Sequence, residues 1–186
     1  KKTVLLASDF KLADYNDKEF LSFQKMYKVN LPENLHGTYR EGKITALEWI
    51  KRFAIKYSHI DFILRPHPGE DRTLYEQLAG EHLNIQLSLP NISYADDLSK
   101  ADLVLSFTST SVLEVIAANR FMISMKVAHL DTSFLSQHRE FLTWCDFDEI
   151  DDILVEMTKG KEFLTPVELR KKFNRYIKQY PDVCVN

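Results

Sequence analysis

Short apolar runs and amphipathic stretches alternate along the whole chain. Residues 4–7 (VLLA), 60–64, 85–89 and 103–107 are largely apolar and of strand length, and 121–127 (FMISMKV) is a fifth such run. Unbroken apolar runs suit strands covered on both faces. Residues 143–145 read as a last short strand. Between these runs the apolar spacing is helical. It predicts helices over 19–27 with Asp17 as cap, 71–79, 93–100 capped by Ser93, and 147–158 with Ile150, Ile153, Leu154 and Met157 inward. Residues 44–57 are predicted helical, with Thr45 and Glu48 spaced as a capping box and Leu47, Ile50, Phe53, Ala54 and Tyr57 on one face. A closing helix over 166–180 begins with proline and is rich in lysine and arginine. Residues 29–43, with Pro32, Gly37 and Gly42, read as a long connection. Strand and helix alternating in this way predict an α/β fold: a Rossmann-like three-layer α/β/α arrangement with a mostly parallel sheet, in one domain spanning 1–186.

One stretch organises the chain. In residues 102–114, DLVLSFTSTSVLE, a buried strand runs into Thr108, Ser109, Thr110 and Ser111, then into a helix carrying Val112, Leu113, Val115 and Ile116. Any of the last three hydroxyl residues suits a helix cap. Free amides, hydroxyls and the helix dipole together favour an anion, most naturally phosphate. Glu114 follows about one turn into the helix, within reach of ribose hydroxyls. An ordinary capped helix after a strand would read the same way on this stretch alone.

A second strand end carries complementary chemistry. Arg65-Pro66-His67-Pro68-Gly69-Glu70 follows the 60–64 strand. Its prolines remove backbone donors and hold the turn extended. Arg65 is suited to gripping a phosphate by two hydrogen bonds, and His67 to donating to an anion or moving a proton near neutral pH. Ser8 sits at the end of the first strand. In a parallel sheet, ligands bind outside the carboxyl ends of the strands. Ser8, the Arg65–Glu70 turn and the Thr108–Ser111 turn are therefore expected to converge on one anionic ligand.

Composition narrows the rest. The 186 residues suffice for a full core, and five glycines with 45% hydrophobic residues indicate a folded protein. A net charge of −3 gives no reason to expect nucleic acid. Cys145 and Cys184 lie far apart without metal-type spacing, which predicts a reducing, cytoplasmic setting. No run approaches the length of a membrane helix, so the expected location is cytoplasmic, at most peripheral to the inner face of the membrane. His129, Asp131, His138 and Arg139 match no metal motif, and no metal is expected. There is neither GxGxxG nor GxxxxGK[ST], against a dinucleotide enzyme or a P-loop nucleotidase. The chain opens on a strand without methionine, as a domain cut from a longer protein, or a chain processed at its terminus, would.

RPHPGED after a strand, then SYADDLSKADLVLSFTSTSVLEVIAANR, then an apolar strand, resembles the C-terminal nucleotide-sugar-binding half of GT-B glycosyltransferases. The likeness is to bacterial surface-carbohydrate, lipopolysaccharide and capsule-polysaccharide enzymes, including Kdo-transferase-like, polysialyltransferase-like and glycerophosphotransferase-like members. It covers roughly residues 4–158 and is most specific over 64–127. The resemblance implies that Arg65 and His67, and Thr108, Ser109, Thr110, Ser111 and Glu114, surround a donor's nucleotide and phosphates, with His67 as the catalytic candidate. It implies a nucleotide sugar linked to CMP, CDP or UDP as substrate and no separate cofactor. It also implies a glycan or lipid-linked acceptor, and a second Rossmann-like domain of the same enzyme or a partner chain. A UDP-N-acetylglucosamine 2-epimerase-like isomerase and a non-catalytic GT-B half share these features. The chain departs from the family at 118–121. Ala118-Asn119-Arg120-Phe121 stands where many members carry a small residue and a Gly-x-Pro turn.

Overall fold

The computed structural model describes residues 1–28, 31–32, 34–107, 111–128 and 139–179, with the side chains of Tyr27 and Arg139 excepted. Six strands form one all-parallel sheet: β1 (Lys2–Ala7), β2 (Ile60–Arg65), β3 (Ile85–Leu87), β4 (Leu103–Ser106), β5 (Met122–Met125) and β6 (Trp144–Cys145), in the order β3-β2-β1-β4-β5-β6. Strands β4 and β5, and most of β1 and β2, are largely apolar and buried on both sides, as a sheet covered twice requires. Val4, Leu6, Phe62, Leu64, Leu105 and Ile123 face one core, while Leu5, Ala7, Ile63, Val104 and Met122 face the other.

Helices cover both faces. α2 (Leu35–Lys56), α3 (Thr73–Glu81) and α6 (Phe147–Thr158) contribute to the first core, and α4 (Tyr94–Lys100), α5 (Val112–Ala117) and α7 (Val167–Gln179) to the second. α1 (Asp17–Tyr27) adds Phe20 to the first core. Right-handed crossovers between parallel strands account for this division. The chain moves outward from β1 to β3, crosses back, and moves the other way from β4 to β6. The order of strand addition therefore reverses between β1 and β4, which is where a sheet wound this way opens a crevice. No described helix is long and apolar enough to cross a membrane.

Three sequence expectations change. The connection expected over 29–43 is largely helix, because α2 begins at Leu35, runs for 22 residues and places Thr45 in its interior. Two glycines suggested a loop, but tertiary packing overrides their weak helix propensity. A Cβ at Gly42 would lie 3.2 Å from the Phe10 ring, so a glycine lets the helix approach the loop after β1. The cap of α1 is Asn16, not Asp17; its side chain accepts from the Glu19 amide while Glu19 reaches back to the Asn16 amide. Ser111 stands at the cap position of α5 without a side-chain capping bond. Ser93 and Asp96, and likewise Asp146 and Glu149, form reciprocal capping boxes on α4 and α6.

Candidate functional site

The carboxyl ends of β2, β1 and β4 lie side by side, so the turns that leave them share one edge of the sheet. At the end of β2, the turn is anchored from below by Glu70, whose side chain is fully buried. Its carboxylate accepts from Ser8 Oγ at 2.9 Å, the Phe10 amide at 2.8 Å, the His67 amide at 3.2 Å and the Tyr75 hydroxyl. Four donors satisfy a buried charge that would otherwise be costly. One carboxylate thereby ties the loop after β1, the turn after β2 and helix α3 together. Burial, then Glu70, hold the Tyr75 phenol far above its ordinary value, so it remains a donor. Beside it, Lys43 Nζ donates to both Asp14 oxygens, at 2.8 and 3.0 Å, and to the Asp71 carbonyl.

Arg65 leaves β2 at this edge. Its Nη1 donates to Asp97 Oδ2 at 2.6 Å, to Ser88 Oγ at 3.1 Å and to the Ile92 carbonyl at 3.1 Å. Asp97 is 3% exposed, so this pair spans the gap between β2 and α4. The Arg65 guanidinium also lies 5.7 Å from the centre of the Tyr94 ring. Burial raises the Tyr94 hydroxyl to about 12. His67 is exposed, and its Nδ1 accepts from the Gly69 amide at 3.1 Å. In the neutral ring the proton therefore sits on Nε2, pointing a donor away from its own turn. Partial burial and then Lys11 lower the His67 pKa, which favours that neutral form.

The proposed ligand residues divide between two hollows. Arg65 and His67 line a cavity of about 190 Å³ with Arg72 and Pro66, Pro68 and Pro90. Glu114 lies in a broader groove between α4 and α5, with Tyr94, Ser99 and Arg120. Tyr94 links the two, since it borders the groove and faces Arg65. Ser8 lines neither; it is buried just after β1, with its hydroxyl directed to Glu70. Thr108, Ser109 and Thr110 lie outside the described residues, as do His129, Asp131 and His138. Among the described residues, no group of three His, Cys, Asp or Glu is placed to hold a metal.

At the departure from the family pattern, Asn119 adopts φ 55°, the left-handed region that glycine enters freely and asparagine tolerates. Its amide bonds to the Ile116 carbonyl at 3.0 Å, so the helix-ending turn is made with asparagine.

Sequence reasoning missed Glu70 as an anchor, Asp97 as the partner of Arg65, and Arg72 and Pro90 in the cavity. Strand-end logic applied to β3 would have found Pro90. Arg72 had its own signal, because a cation at a helix N-terminus opposes the dipole and calls for another reason to be there.

No protein-family model matches the chain, and no curated protein matches it. Solved structures do. A Listeria monocytogenes protein provisionally assigned as a UDP-N-acetylglucosamine 2-epimerase matches with a TM-score of 0.51 at 14% identity, over 94% of this chain and 40% of that one. The N-terminal domain of a Candida albicans trehalose-6-phosphate phosphatase matches with a TM-score of 0.50 at 14% identity, over 96% and 38%. The Escherichia coli heptosyltransferase WaaC, solved with ADP, matches at 0.48 and 15%, over 86% and 44%. This chain thus spans less than half the length of each structure it matches here. At such identities the likeness is one of fold: an all-parallel, six-stranded Rossmann-like sheet with helices on both faces.

Proposed function

We propose that this chain is the donor-binding half of a glycosyltransferase that moves a sugar from a nucleotide-activated donor to a bacterial surface polysaccharide or lipopolysaccharide acceptor. The observation that carries the reading is the turn after β2. A proline-bounded segment presenting Arg65 and His67 is clamped by Glu70 to the loop after β1, beside the crevice of a parallel sheet. Rigid cationic and N–H donors at such an edge suit the phosphates of a nucleotide. The fold of the Listeria protein, whose assignment names a UDP-sugar, agrees with that choice.

In this reading His67 Nε2–H and the guanidinium of Arg65 face the donor's phosphates. They oppose the negative charge that grows on the leaving nucleotide as the glycosidic bond breaks. Glu114, in the adjoining groove, takes the ribose hydroxyls. The facing domain supplies the acceptor and its base.

A thermal-shift and calorimetric screen against CMP, CDP, UDP, GDP and dTDP tests the proposal. One of them should stabilise the chain, and His67→Ala and Glu114→Gln should each weaken binding with the unliganded melting temperature preserved. Binding of none would leave a scaffold and end the donor-site reading. Conversion of a free UDP-sugar without acceptor, by the full-length enzyme, would select the epimerase alternative.

A further inference from the structure

We infer that the cavity outside the ends of β2 and β3 is a pocket for a single phosphoryl group, and that Arg72 is one of its ligands. The inference deepens the donor-site reading and rests on it only for the identity of the molecule that owns the phosphoryl group.

Size comes first. At about 190 Å³ the cavity falls below the usual range of pockets that enclose a whole organic ligand, so it takes one small group. Its charge is one-sided. Two guanidinium groups and an imidazole line it, and no carboxylate does. Asp97 neutralises Arg65 through Nη1 and does not itself line the cavity. The acid nearest Arg72 is Glu76, 3.8 Å from Nε and 61% exposed, which is a weak partner. The net positive charge facing the cavity therefore comes chiefly from Arg72.

Its walls are preorganised. Pro66, Pro68 and Pro90 contribute no N–H, so recognition falls to side chains, and their fixed φ angles keep the walls in place. Arg72 Nη2 donates to the Ser88 carbonyl at 2.8 Å, which lays its guanidinium across the gap between the two strand ends. A guanidinium carries five N–H groups, so this one bond leaves others to meet a ligand. His67 adds the Nε2–H, because the Gly69 amide already occupies Nδ1. Three donor-bearing groups, all from residues 65–72, thus border one small hollow. That arrangement fits the oxygens of a phosphoryl group.

The test follows the His67 ring resonances by NMR while inorganic phosphate is titrated into the purified chain at constant ionic strength. The wild type should show a saturable shift. Arg72→Gln should raise the apparent Kd about tenfold or more with an unchanged melting temperature, and Arg72→Lys should recover part of the loss. Equal affinities for wild type and Arg72→Gln, or no saturable shift at His67, would overturn the pocket. UDP and CDP then identify the owner. Displacement of phosphate by either one, and not by uridine or cytidine, supports a nucleotide phosphate in the pocket. Arg72-dependent phosphate binding that neither nucleotide displaces keeps the pocket as a site for free phosphate and counts against the donor-site reading instead.

Discussion

Four hydrogen-bond donors converge on the carboxylate of Glu70, and their removal is the sharpest single-residue test of the edge they hold together. Glu70→Gln keeps an oxygen for the Phe10 and His67 amides, which share Oε1, but removes the charge and places an amino group where Oε2 accepts from the Tyr75 and Ser8 hydroxyls. The expected cost is about 1–3 kcal/mol of stability in urea denaturation, and Tyr75→Phe should cost about 1 kcal/mol. Arg65 illustrates how far residue identity was legible. Sequence placed it correctly at a strand end but gave it only a ligand to hold. Asp97 is 32 positions away, so nothing local announced that Nη1 is spoken for. Arg65→Ala should accordingly destabilise the fold, on the order of 3 kcal/mol, by stranding a buried carboxylate. Binding assays on that variant need a folded-state control. His67 gives a pH prediction. Its pKa is lowered, so between the folded value and the ordinary value of 6.5 the unfolded chain binds more protons and stability rises with pH. The contribution is complete above about pH 6.5 and is lost as pH falls through the folded pKa. NMR titration should place the midpoint below 6.5, and Lys11→Ala should move it upward. An unchanged midpoint in that variant would exclude the Lys11 field as a cause.

Helix α2 shows what an element owes to its surroundings. Its second half was legible because Leu47, Ile50, Phe53 and Ala54 keep helical spacing, and all four are buried. Its first half was not, since Gly37 and Gly42 weaken the local signal and only packing decides. The two glycines should now behave oppositely. Nothing lies within 4 Å of a Cβ at Gly37, so Gly37→Ala should stabilise by about 0.5–1 kcal/mol through helix propensity. At Gly42 the methyl meets Phe10, which is 1% exposed and stacked on Phe107 with ring centres 4.9 Å apart. That ring has little room to yield, and Gly42→Ala should lose about 1–3 kcal/mol. Melting curves of the two variants that shifted in the same direction would contradict this account. Capping boxes were legible where the pattern is strictly local, as at Ser93, and misjudged by one residue at α1, where Asn16 and Asp17 compete as neighbours.

For the whole molecule, alternation of strands and helices was enough to indicate a parallel sheet with helices on both faces. Strand order was not, because pairing partners lie tens of residues apart and apolar runs of similar composition are interchangeable on paper. The division of the expected cleft into a cavity and a groove likewise depends on where α4 sits, with Tyr94 between them. At this scale the donor-half proposal predicts that the isolated chain binds nucleotide weakly, because a facing domain would close the site and exclude water. It also predicts no multiple-turnover transfer from activated sugars to glycan or lipid-linked acceptors. Sustained transfer by the 186 residues alone would refute the half-enzyme reading.

The central position of β1 bears on how the chain is made. Within this sheet the first strand to be synthesised is the one that needs neighbours on both sides, and the second of these, β4, is synthesised much later; the Ser106 hydroxyl that closes on the Ala7 carbonyl lies 99 residues downstream. At translation speeds of about 5–20 residues per second, one edge of β1 waits about 5–20 seconds for its partner. During that interval Val4, Leu5 and Leu6, which end at most 1% exposed, lack half of their final cover. The nascent protein therefore presents an apolar, unpaired strand edge to chaperones until residue 106 is free of the exit tunnel, and ribosome-bound chains truncated before β4 should be far more protease-sensitive than chains extended past it.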